Sequence, residues 1–194
     1  MDLKALRKYA QENNIPIVKP ETENLLRLLT EIKKPLKILE IGTAIGYSAA
    51  VMLGCANKQS KIYSIELDES RFILAKQNLK QMGYEDRAVL YQGDATDIVP
   101  SLTGKYDMIF VDGPKGQYIH FLPYLLNVLE SGGMLVCDNV LYRGLVDGRV
   151  KMRRKSLTMI NNLRQFLDAI NNDSRLYTEV FDIGDGVSVS CLKY

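Results

Sequence analysis

The chain has 194 residues, of which 46% are hydrophobic and 25% charged, and its formal net charge is +2. This size and composition predict one compact domain over residues 1–194 and exclude a disordered chain or a disulfide-stapled miniprotein. The apolar runs are far shorter than the ~20 residues that span a bilayer, and residues 1–13 lack the apolar core of a signal peptide. We therefore expect a cytoplasmic protein that does not contact the membrane.

Cysteine content and charge distribution narrow the possible functions further. The three cysteines, Cys55, Cys137 and Cys191, form no CxxC pair, so we predict reduced, buried thiols and no zinc site or disulfide framework. Residues 141–155, LYRGLVDGRVKMRRK, carry six basic side chains against the single acid Asp147, a net charge of +5, while the rest of the chain is −3. This segment is the one place where the sequence favours an anionic partner.

Helices and short apolar strands alternate along most of the chain. Two N-terminal helices are predicted within residues 1–33, at 2–13 and 20–32, and the second carries an apolar stripe of Leu25, Leu26, Leu28, Leu29 and Ile32. In residues 34–194, the predicted core, strands are expected at 36–41, 61–66, 88–92, 106–112 and 134–138, with helices from Gly46, over 68–82 and over 115–130. Such alternation predicts a parallel sheet covered on both faces.

The C-terminal part has a different pattern. A helix is predicted from Met152 to Ile170, followed by strands at 176–183 and 187–194 that flank Gly184-Asp185-Gly186. Two strands joined by a tight glycine turn form a hairpin, so the last strand runs antiparallel to its neighbour. The sequence thus predicts an α/β fold with a doubly wound, seven-stranded, mostly parallel sheet and an antiparallel C-terminal hairpin, the Rossmann-like arrangement typical of class I methyltransferases.

A glycine-rich turn follows the first predicted strand, in the segment EIGTAIGYS from Glu40 to Ser48. Gly42 and Gly46 let a ligand approach the backbone, and the helix behind them offers unpaired N–H groups. The spacing is GxxxG, not the GxGxxG of dinucleotide folds, and Glu40 would repel a pyrophosphate. S-adenosylmethionine has no phosphate and carries two positive groups, so it fits an acidic strand end. The alternative is that these glycines serve tight packing alone.

Acids also end the next two strands. Glu66 ends the second strand roughly 20 residues after the glycine turn, where an acid can accept the hydroxyl protons of a ribose. Gly93-Asp94-Ala95 ends the third strand, where Asp94 or the backbone could meet an adenine amino group. A surface glutamate and a simple aspartate turn are the alternatives.

Oxygen ligands follow the fourth and fifth strands. Asp112 stands in the segment DGPK, and Asp138 precedes Asn139. Open α/β sheets bind ligands outside the carboxyl ends of their strands, so we expect these groups to converge with Glu40 and Glu66 in one crevice. Two carboxylates and an amide oxygen suit Mg²⁺ or another divalent cation, and the absence of sulfur and imidazole disfavours zinc. Alternatively, Asp112 binds the cofactor and Asp138 caps a helix.

Several short motifs together resemble one family. The segments EIGTAIGYSA, IELD, GDA, DGPKGQY and DNVLYRGLV, in this order and spacing, are similar to those of cation-dependent catechol and caffeoyl-CoA O-methyltransferases, from about Val18 to the final strand. Within that family, DNVLYRGLV and IGDGVSVS look most like the bacterial tRNA 5-hydroxyuridine methyltransferases, which act on the wobble uridine. The N-terminal segment here is short, so the substrate lid that such enzymes build there is expected to be reduced.

The resemblance implies roles for individual residues. It makes Asp112, Asp138 and Asn139 the metal ligands and Lys115 the catalytic base. The residues that it places around S-adenosylmethionine are Val18, Glu40, Gly42, Thr43, Ser48, Glu66, Ala95 and Asp112. It also implies a homodimer.

The acceptor remains open between two classes. The segment of residues 141–155 begins just after Asn139, so Arg143, Arg153 and Arg154 are candidates for contacts with tRNA phosphates in the anticodon region, although a solvated helix start would have the same composition. A small-molecule catechol-type acceptor needs only the metal and cofactor motifs. A non-catalytic module that binds S-adenosylmethionine or RNA is the third possibility. His120 is interpreted as a surface or packing residue, and Tyr118 as packing or pocket wall.

Overall fold

The structure is a computed structural model that describes residues 2–150 and 156–194. Its strands form one seven-stranded sheet in the order β3-β2-β1-β4-β5-β7-β6, with β7 antiparallel to both of its neighbours. This confirms the predicted α/β fold with a mostly parallel sheet and an antiparallel C-terminal hairpin. The chain divides into two compact units, Met1–Ile98 and Val99–Tyr194. The single-domain interpretation stays a prediction.

The first unit contains three parallel strands with helices between them. Its elements are α1 (Leu3–Glu12), α2 (Pro20–Lys33), β1 (Lys37–Ile41), α3 (Tyr47–Cys55), β2 (Lys61–Glu66), α4 (Glu69–Gln81), β3 (Ala88–Gln92) and α5 (Ala95–Ile98). Helix α4 begins where Asp68 accepts a hydrogen bond from the Arg71 N–H at 2.9 Å, and Gly83, at φ 78°, follows its end. Strand β1 is buried from Ile38 onward, as its continuous apolar run predicts.

The second unit contains the other four strands. Its elements are two 3-10 helices (Val99–Ser101 and Lys115–Gln117), β4 (Tyr106–Val111), α6 (Tyr118–Val128), β5 (Leu129–Asp138), α7 (Leu157–Asn172), β6 (Leu176–Phe181) and β7 (Val187–Leu192). Strands β4 and β5 run parallel, and the last pair of their ladder is Val111 with Cys137. Asp112 and Asp138 therefore follow directly where this ladder ends.

Several element boundaries differ from the predictions. Strand β5 begins at Leu129, not at Met134, because the register against β4 shifts from Tyr106–Leu129 to Met108–Met134 and accommodates the glycines in between. Helix α5 was not predicted. The predicted start of the last helix at Met152 lies outside the described residues, and α7 is described from Leu157.

Helix α2 buries a face that the hydrophobic pattern did not indicate. Thr22, Leu26 and Thr30 are fully buried, whereas Leu28 is 55% exposed and Ile32 is 68% exposed. The apolar stripe predicted on this helix therefore divides between the buried Leu26 and the exposed Leu28 and Ile32, in a helix that packs on α3.

The prediction of free thiols is confirmed for all three cysteines, and the prediction of burial is confirmed for one. All three cysteines are free, but only Cys137 is buried, and Cys55 and Cys191 are partly exposed because they lie near element ends. Burial raises the pKa of the Cys137 thiol. Among the described residues, no helix combines the length and apolarity that a membrane crossing requires.

Candidate functional site

The glycine turn of the first unit has a backbone that glycine favours. Gly42 and Gly46 have φ of 99° and 83°, in the region where side chains are strained. A Cβ at Gly46 would also lie 3.1 Å from the Leu79 side chain of α4. The Gly42 N–H donates to the Ile65 carbonyl at 3.0 Å, which attaches the turn to β2. The turn is thus fixed in place by both neighbouring elements.

Glu40 lies in β1, two residues before Gly42 of this turn, and is completely buried. Its two carboxylate oxygens accept hydrogen bonds from the hydroxyls of Ser48 and Ser64, each at 2.5 Å. The Thr43 and Ser64 hydroxyls are also hydrogen-bonded, at 2.5 Å. Glu40 therefore connects β1, β2 and the first turn of α3, and it places Ser48 and Thr43 next to the glycine backbone.

Glu66 occupies the end of β2 with a fixed orientation. One carboxylate oxygen accepts the Ala44 N–H at 2.7 Å and the other accepts the Asp68 N–H at 2.9 Å. The side chain is buried apart from a small exposed fraction of 8%. Because each carboxylate oxygen has two acceptor positions, both can accept a further hydrogen bond from a diol.

The remaining predicted cofactor residues of this unit are mostly buried. Val18 is 3% exposed and Ala95 is 7% exposed. Asp94 accepts the Thr96 N–H at 2.8 Å at the start of α5, and its hydrogen bonds with Thr96 lower the pKa of its carboxyl. The simple aspartate turn that was the alternative for Asp94 is thus present, and the cofactor role stays a prediction.

Asn78 is a residue of this region that the sequence did not single out. It is buried on α4, and its side-chain amide donates to the Ile45 carbonyl at 3.0 Å, inside the glycine turn. The sequence feature that could have indicated Asn78 is its position: it is a polar residue on the buried face of an amphipathic helix. Buried amides of this kind usually carry a specific hydrogen bond.

In the second unit, Asp112 and Lys115 form an ion pair across one turn of backbone. The Lys115 Nζ lies 2.9 Å from Asp112 Oδ1, and each side chain is 21% exposed. Burial raises the pKa of the Asp112 carboxyl, and the neighbouring Lys115 ammonium offsets this only in part. The predicted base and one predicted ligand are therefore in direct contact.

Asp138 ends β5 in a buried position, with 2% of its surface exposed. Burial, followed by the negative charge of Asp112, raises the pKa of its carboxyl to about 7. Its Oδ1 accepts the backbone N–H of Asn139 at 2.7 Å, and Asn139 adopts a left-handed φ of 59°. The structure thus brings the two predicted carboxylate ligands close enough for their charges to interact.

This donor set fits a divalent cation. Two carboxylates that repel each other gain stability when a cation neutralises both, and carboxylate and amide oxygens are the ligands that Mg²⁺ accepts. Within the described residues, no three His, Cys, Asp or Glu side chains cluster as a metal site. The fit therefore rests on Asp112, Asp138 and the Asn139 amide.

The segment after Asn139 is supported by the turn of the C-terminal hairpin. The N–H groups of Leu141 and Tyr142 both donate to the Asp185 carbonyl at 3.0 Å, and Val140 donates to Gly186 at the same distance. Any side chain at Gly186 would overlap Leu141, and its φ of 84° also favours glycine. The sequence indicated this turn only as a hairpin, so its role beside the candidate metal ligands was missed.

The basic segment is only partly described. Arg143 is exposed, and its guanidinium carbon lies 5.8 Å from the centre of the Tyr142 ring. Arg149 forms ion pairs with Asp147 and with Asp182, the latter with contacts of 2.8 and 2.9 Å, so much of its charge is compensated. The predicted contacts Arg153 and Arg154 lie outside the described residues. His120 is exposed on α6, in agreement with its interpretation as a surface residue.

A sequence profile of the O-methyltransferase family matches residues 1–193. The chain belongs to this family. Similar proteins include a catechol O-methyltransferase of Niastella koreensis, 29% identical over 77% of this chain and 67% of the relative. A caffeoyl-CoA O-methyltransferase of Stellaria longipes is 25% identical over 96% of this chain and 81% of the relative.

Solved structures agree with this assignment. A Staphylococcus aureus protein with the provisional name caffeoyl-CoA O-methyltransferase is 30% identical, with a TM-score of 0.90 over 99% of this chain and 92% of that one. The methyltransferase PaMTH1 of Podospora anserina, solved with bound S-adenosylhomocysteine, is 26% identical with a TM-score of 0.79, over 89% of this chain and 78% of that one. By family and by fold, this chain is therefore an O-methyltransferase.

Proposed function

We propose that this enzyme is a divalent-cation-dependent O-methyltransferase that methylates a hydroxyl next to a second oxygen, with a small catechol-type molecule as acceptor. The observation that carries the proposal is the interacting pair of carboxylates, the partly buried Asp112 and the buried Asp138, with Lys115 in contact with the first. Asp112, Asp138 and the Asn139 amide would hold the cation. When bound, Mg²⁺ lowers the pKa of a coordinated hydroxyl and orients it beside the second oxygen.

The reaction needs a base and an aligned methyl donor. The acceptor oxygen attacks the methyl carbon of S-adenosylmethionine as the carbon–sulfur bond breaks, which leaves S-adenosylhomocysteine. Lys115 takes the hydroxyl proton at Nζ, and to do so it must first release its own ammonium proton to water. Its partial exposure gives water access to that nitrogen. Alignment of the reacting atoms supplies much of the rate.

The cofactor is proposed to bind to the first unit. Glu66 has both carboxylate oxygens oriented by backbone N–H groups, so it can accept the two ribose hydroxyls. The Gly42–Ser48 turn exposes backbone to the ligand, with Thr43 and Ser48 positioned by Glu40. Val18, Asp94 and Ala95 complete the proposed cofactor set of this unit.

The two relatives named above support the small-molecule acceptor, because one is a catechol and the other a caffeoyl-CoA O-methyltransferase. The basic segment supports a second candidate, the 5-hydroxyuridine of a tRNA anticodon. Its 5-hydroxyl and O4 carbonyl are adjacent oxygens, so the same metal chemistry applies. The ion pairs of Arg149 weaken this candidate, and the exposed Arg143 supports it.

A direct comparison of acceptors tests the two candidates. Purified enzyme is incubated with labelled S-adenosylmethionine and either a catechol or tRNA from cells that lack the enzyme. We expect label on the catechol at one hydroxyl. Label on tRNA alone, at the wobble uridine, would establish the second candidate instead.

Metal dependence is tested by chelation and by one substitution. We expect EDTA to abolish methyl transfer and Mg²⁺ to restore it, and Asp138→Ala to be inactive with its circular dichroism intact. Asp168→Ala, an exposed acid on α7, is the matched control and should keep full activity. Full activity after exhaustive EDTA dialysis contradicts the proposal.

We also propose that the enzyme forms a homodimer. The exposed Leu28 and Ile32, four residues apart on α2, support an apolar contact between copies. Sedimentation of the wild type and of the variant with Leu28→Glu and Ile32→Glu should give a dimer and a monomer, respectively. A monomeric wild type would contradict this.

A further inference from the structure

The Tyr118 hydroxyl contacts the carboxyl ends of two neighbouring strands. Tyr118 is the first residue of α6 and is 1% exposed. Its hydroxyl oxygen lies 3.2 Å from the Val111 carbonyl oxygen and 3.1 Å from the Asp138 carbonyl oxygen. Val111 ends β4 immediately before Asp112, and Asp138 ends β5. The single hydroxyl proton is therefore shared between two backbone carbonyls, that of Val111, which precedes Asp112, and that of Asp138.

This contact lies where the sheet no longer fixes the distance between the strands. The ladder between β4 and β5 ends with the pair of Val111 and Cys137, one residue before Asp112 and Asp138. Beyond that pair the two acidic side chains follow at the ends of neighbouring strands, and like charges so placed repel each other. A donor shared between the two strand ends opposes their separation.

We propose that Tyr118 is a positioning residue, whose hydroxyl sets the spacing of the Asp112 and Asp138 carboxylates for the divalent cation. This inference rests on the proposed function of the two aspartates as metal ligands. The ring itself is held independently, because its centroid lies 5.5 Å from that of Phe166 on α7, in an edge arrangement at 76°. Removal of the hydroxyl alone should therefore leave the ring in place and change the spacing of the strand ends.

The test is Tyr118→Phe, measured as the affinity of the full-length protein for Mn²⁺ alone by electron paramagnetic resonance. Loss of a residue that orients metal ligands typically weakens metal binding 10–100-fold, and we expect a loss of about tenfold. The affinity for S-adenosylhomocysteine should be unchanged. Tyr124→Phe, an exposed tyrosine on the same helix, is the matched control and should bind Mn²⁺ as the wild type does.

A second control separates positioning from stability. Thr178→Val removes a hydroxyl that bonds to the Ile170 carbonyl and to Ser190, also within the second unit. It should lower the melting temperature and leave Mn²⁺ affinity unchanged. If Tyr118→Phe does not fold, Phe166→Leu loosens the Tyr118 ring while its hydroxyl remains, and we expect Mn²⁺ binding to weaken several-fold.

The outcomes distinguish this inference from the proposed function. If Asp138→Ala abolishes Mn²⁺ binding but Tyr118→Phe and Phe166→Leu bind it normally, the positioning role is wrong and the metal site stands. If Asp138→Ala itself binds Mn²⁺ normally, the proposed metal site is wrong. A tenfold loss in Tyr118→Phe that is matched in Thr178→Val would also overturn the positioning role.

Discussion

Glu40 and Glu66 lie at the ends of neighbouring strands, but their burial and their hydrogen-bond donors differ. Glu40 is completely buried, and its carboxylate accepts hydrogen bonds from two serine hydroxyls. These bonds stabilise the glycine turn. Glu66 accepts backbone N–H groups on both oxygens and reaches the protein surface. Of the two acids, Glu66 is therefore the one that we propose as the partner of a ligand diol.

We expect Glu66→Ala to weaken the binding of S-adenosylhomocysteine. Hydrogen bonds to a charged group contribute roughly 1.5–3 kcal/mol, so the dissociation constant should rise at least tenfold in isothermal titration calorimetry. Glu69→Ala removes an exposed acid three residues away and should leave the affinity unchanged. Equal affinities of the Glu66→Ala variant and the wild type would exclude Glu66 from the cofactor site.

At the scale of elements, one acid connects the three helices of the first unit that lie nearest its N-terminus. Glu23 on α2 accepts the Tyr47 hydroxyl of α3 at 2.7 Å and the Arg27 guanidinium at 2.7 Å, and it forms an ion pair with Arg7 of α1. Arg7 also donates to the Tyr47 hydroxyl at 3.0 Å. Burial alone would raise the pKa of the Glu23 carboxyl, but these hydrogen bonds outweigh it, and its pKa lies below the ordinary value.

This shift predicts a loss of stability in acid. A carboxyl whose folded pKa is lowered stabilises the fold at pH above its unfolded pKa, and the contribution is lost as pH falls through the folded pKa. We expect Glu23→Gln to lower the free energy of unfolding by about 2 kcal/mol at pH 7, with a smaller difference from the wild type below pH ~4. Urea unfolding followed by circular dichroism at both pH values measures this.

A matched substitution controls for the loss of any helical acid. Glu12 on α1 is 61% exposed and lies 3.7 Å from Lys8, so Glu12→Gln should change stability little at either pH. If the difference between Glu23→Gln and the wild type stayed constant from pH 7 to pH 3.5, the lowered pKa would not be the source of the stability.

Local patterns predicted most of the elements because each of them has a sequence signal of its own. The strands at 61–66 and 88–92 were predicted to the residue, since continuous apolar runs end there in polar turns. The buried face of α2 was missed, because Thr22 and Thr30 are buried by contact with α3, and tertiary packing of this kind leaves no periodic signal. The register shift in β5 likewise depends on its partner strand.

The candidate site was predictable to the extent that its residues follow strand ends. Asp112, Asp138 and Glu66 are such residues, and topology places them. The Tyr118 contact with two carbonyls could not be predicted, because an apolar helix start gives no information about where one hydroxyl points. The support that Asn78 gives the glycine turn was missed for the same reason.

At the scale of the whole molecule, charge is distributed unevenly, with +5 in residues 141–155 and −3 elsewhere. Within this segment, the positive charge of Arg149 is compensated by ion pairs with Asp147 and with Asp182, which lies outside the segment. Its remaining cations include Arg143, which is exposed, and Arg153 and Arg154 outside the described residues. A tRNA acceptor requires that these side chains bind phosphate groups, whereas a catechol acceptor does not.

For a tRNA acceptor, we expect Arg153→Ala combined with Arg154→Ala to weaken tRNA binding and to flatten its salt dependence. Each phosphate contact that is lost lowers the slope of log K against log salt concentration by roughly 0.7–0.9, because fewer counterions are released. Methylation of a catechol should be unchanged, since Lys115 and the metal ligands are intact. Lys58→Ala with Lys76→Ala, two exposed cations of the first unit, is the control and should leave the slope unchanged. If the arginine variant keeps the wild-type tRNA affinity at every salt concentration, or loses both activities equally, the segment is not a phosphate-binding site, and the catechol acceptor is left as the one that its chemistry supports.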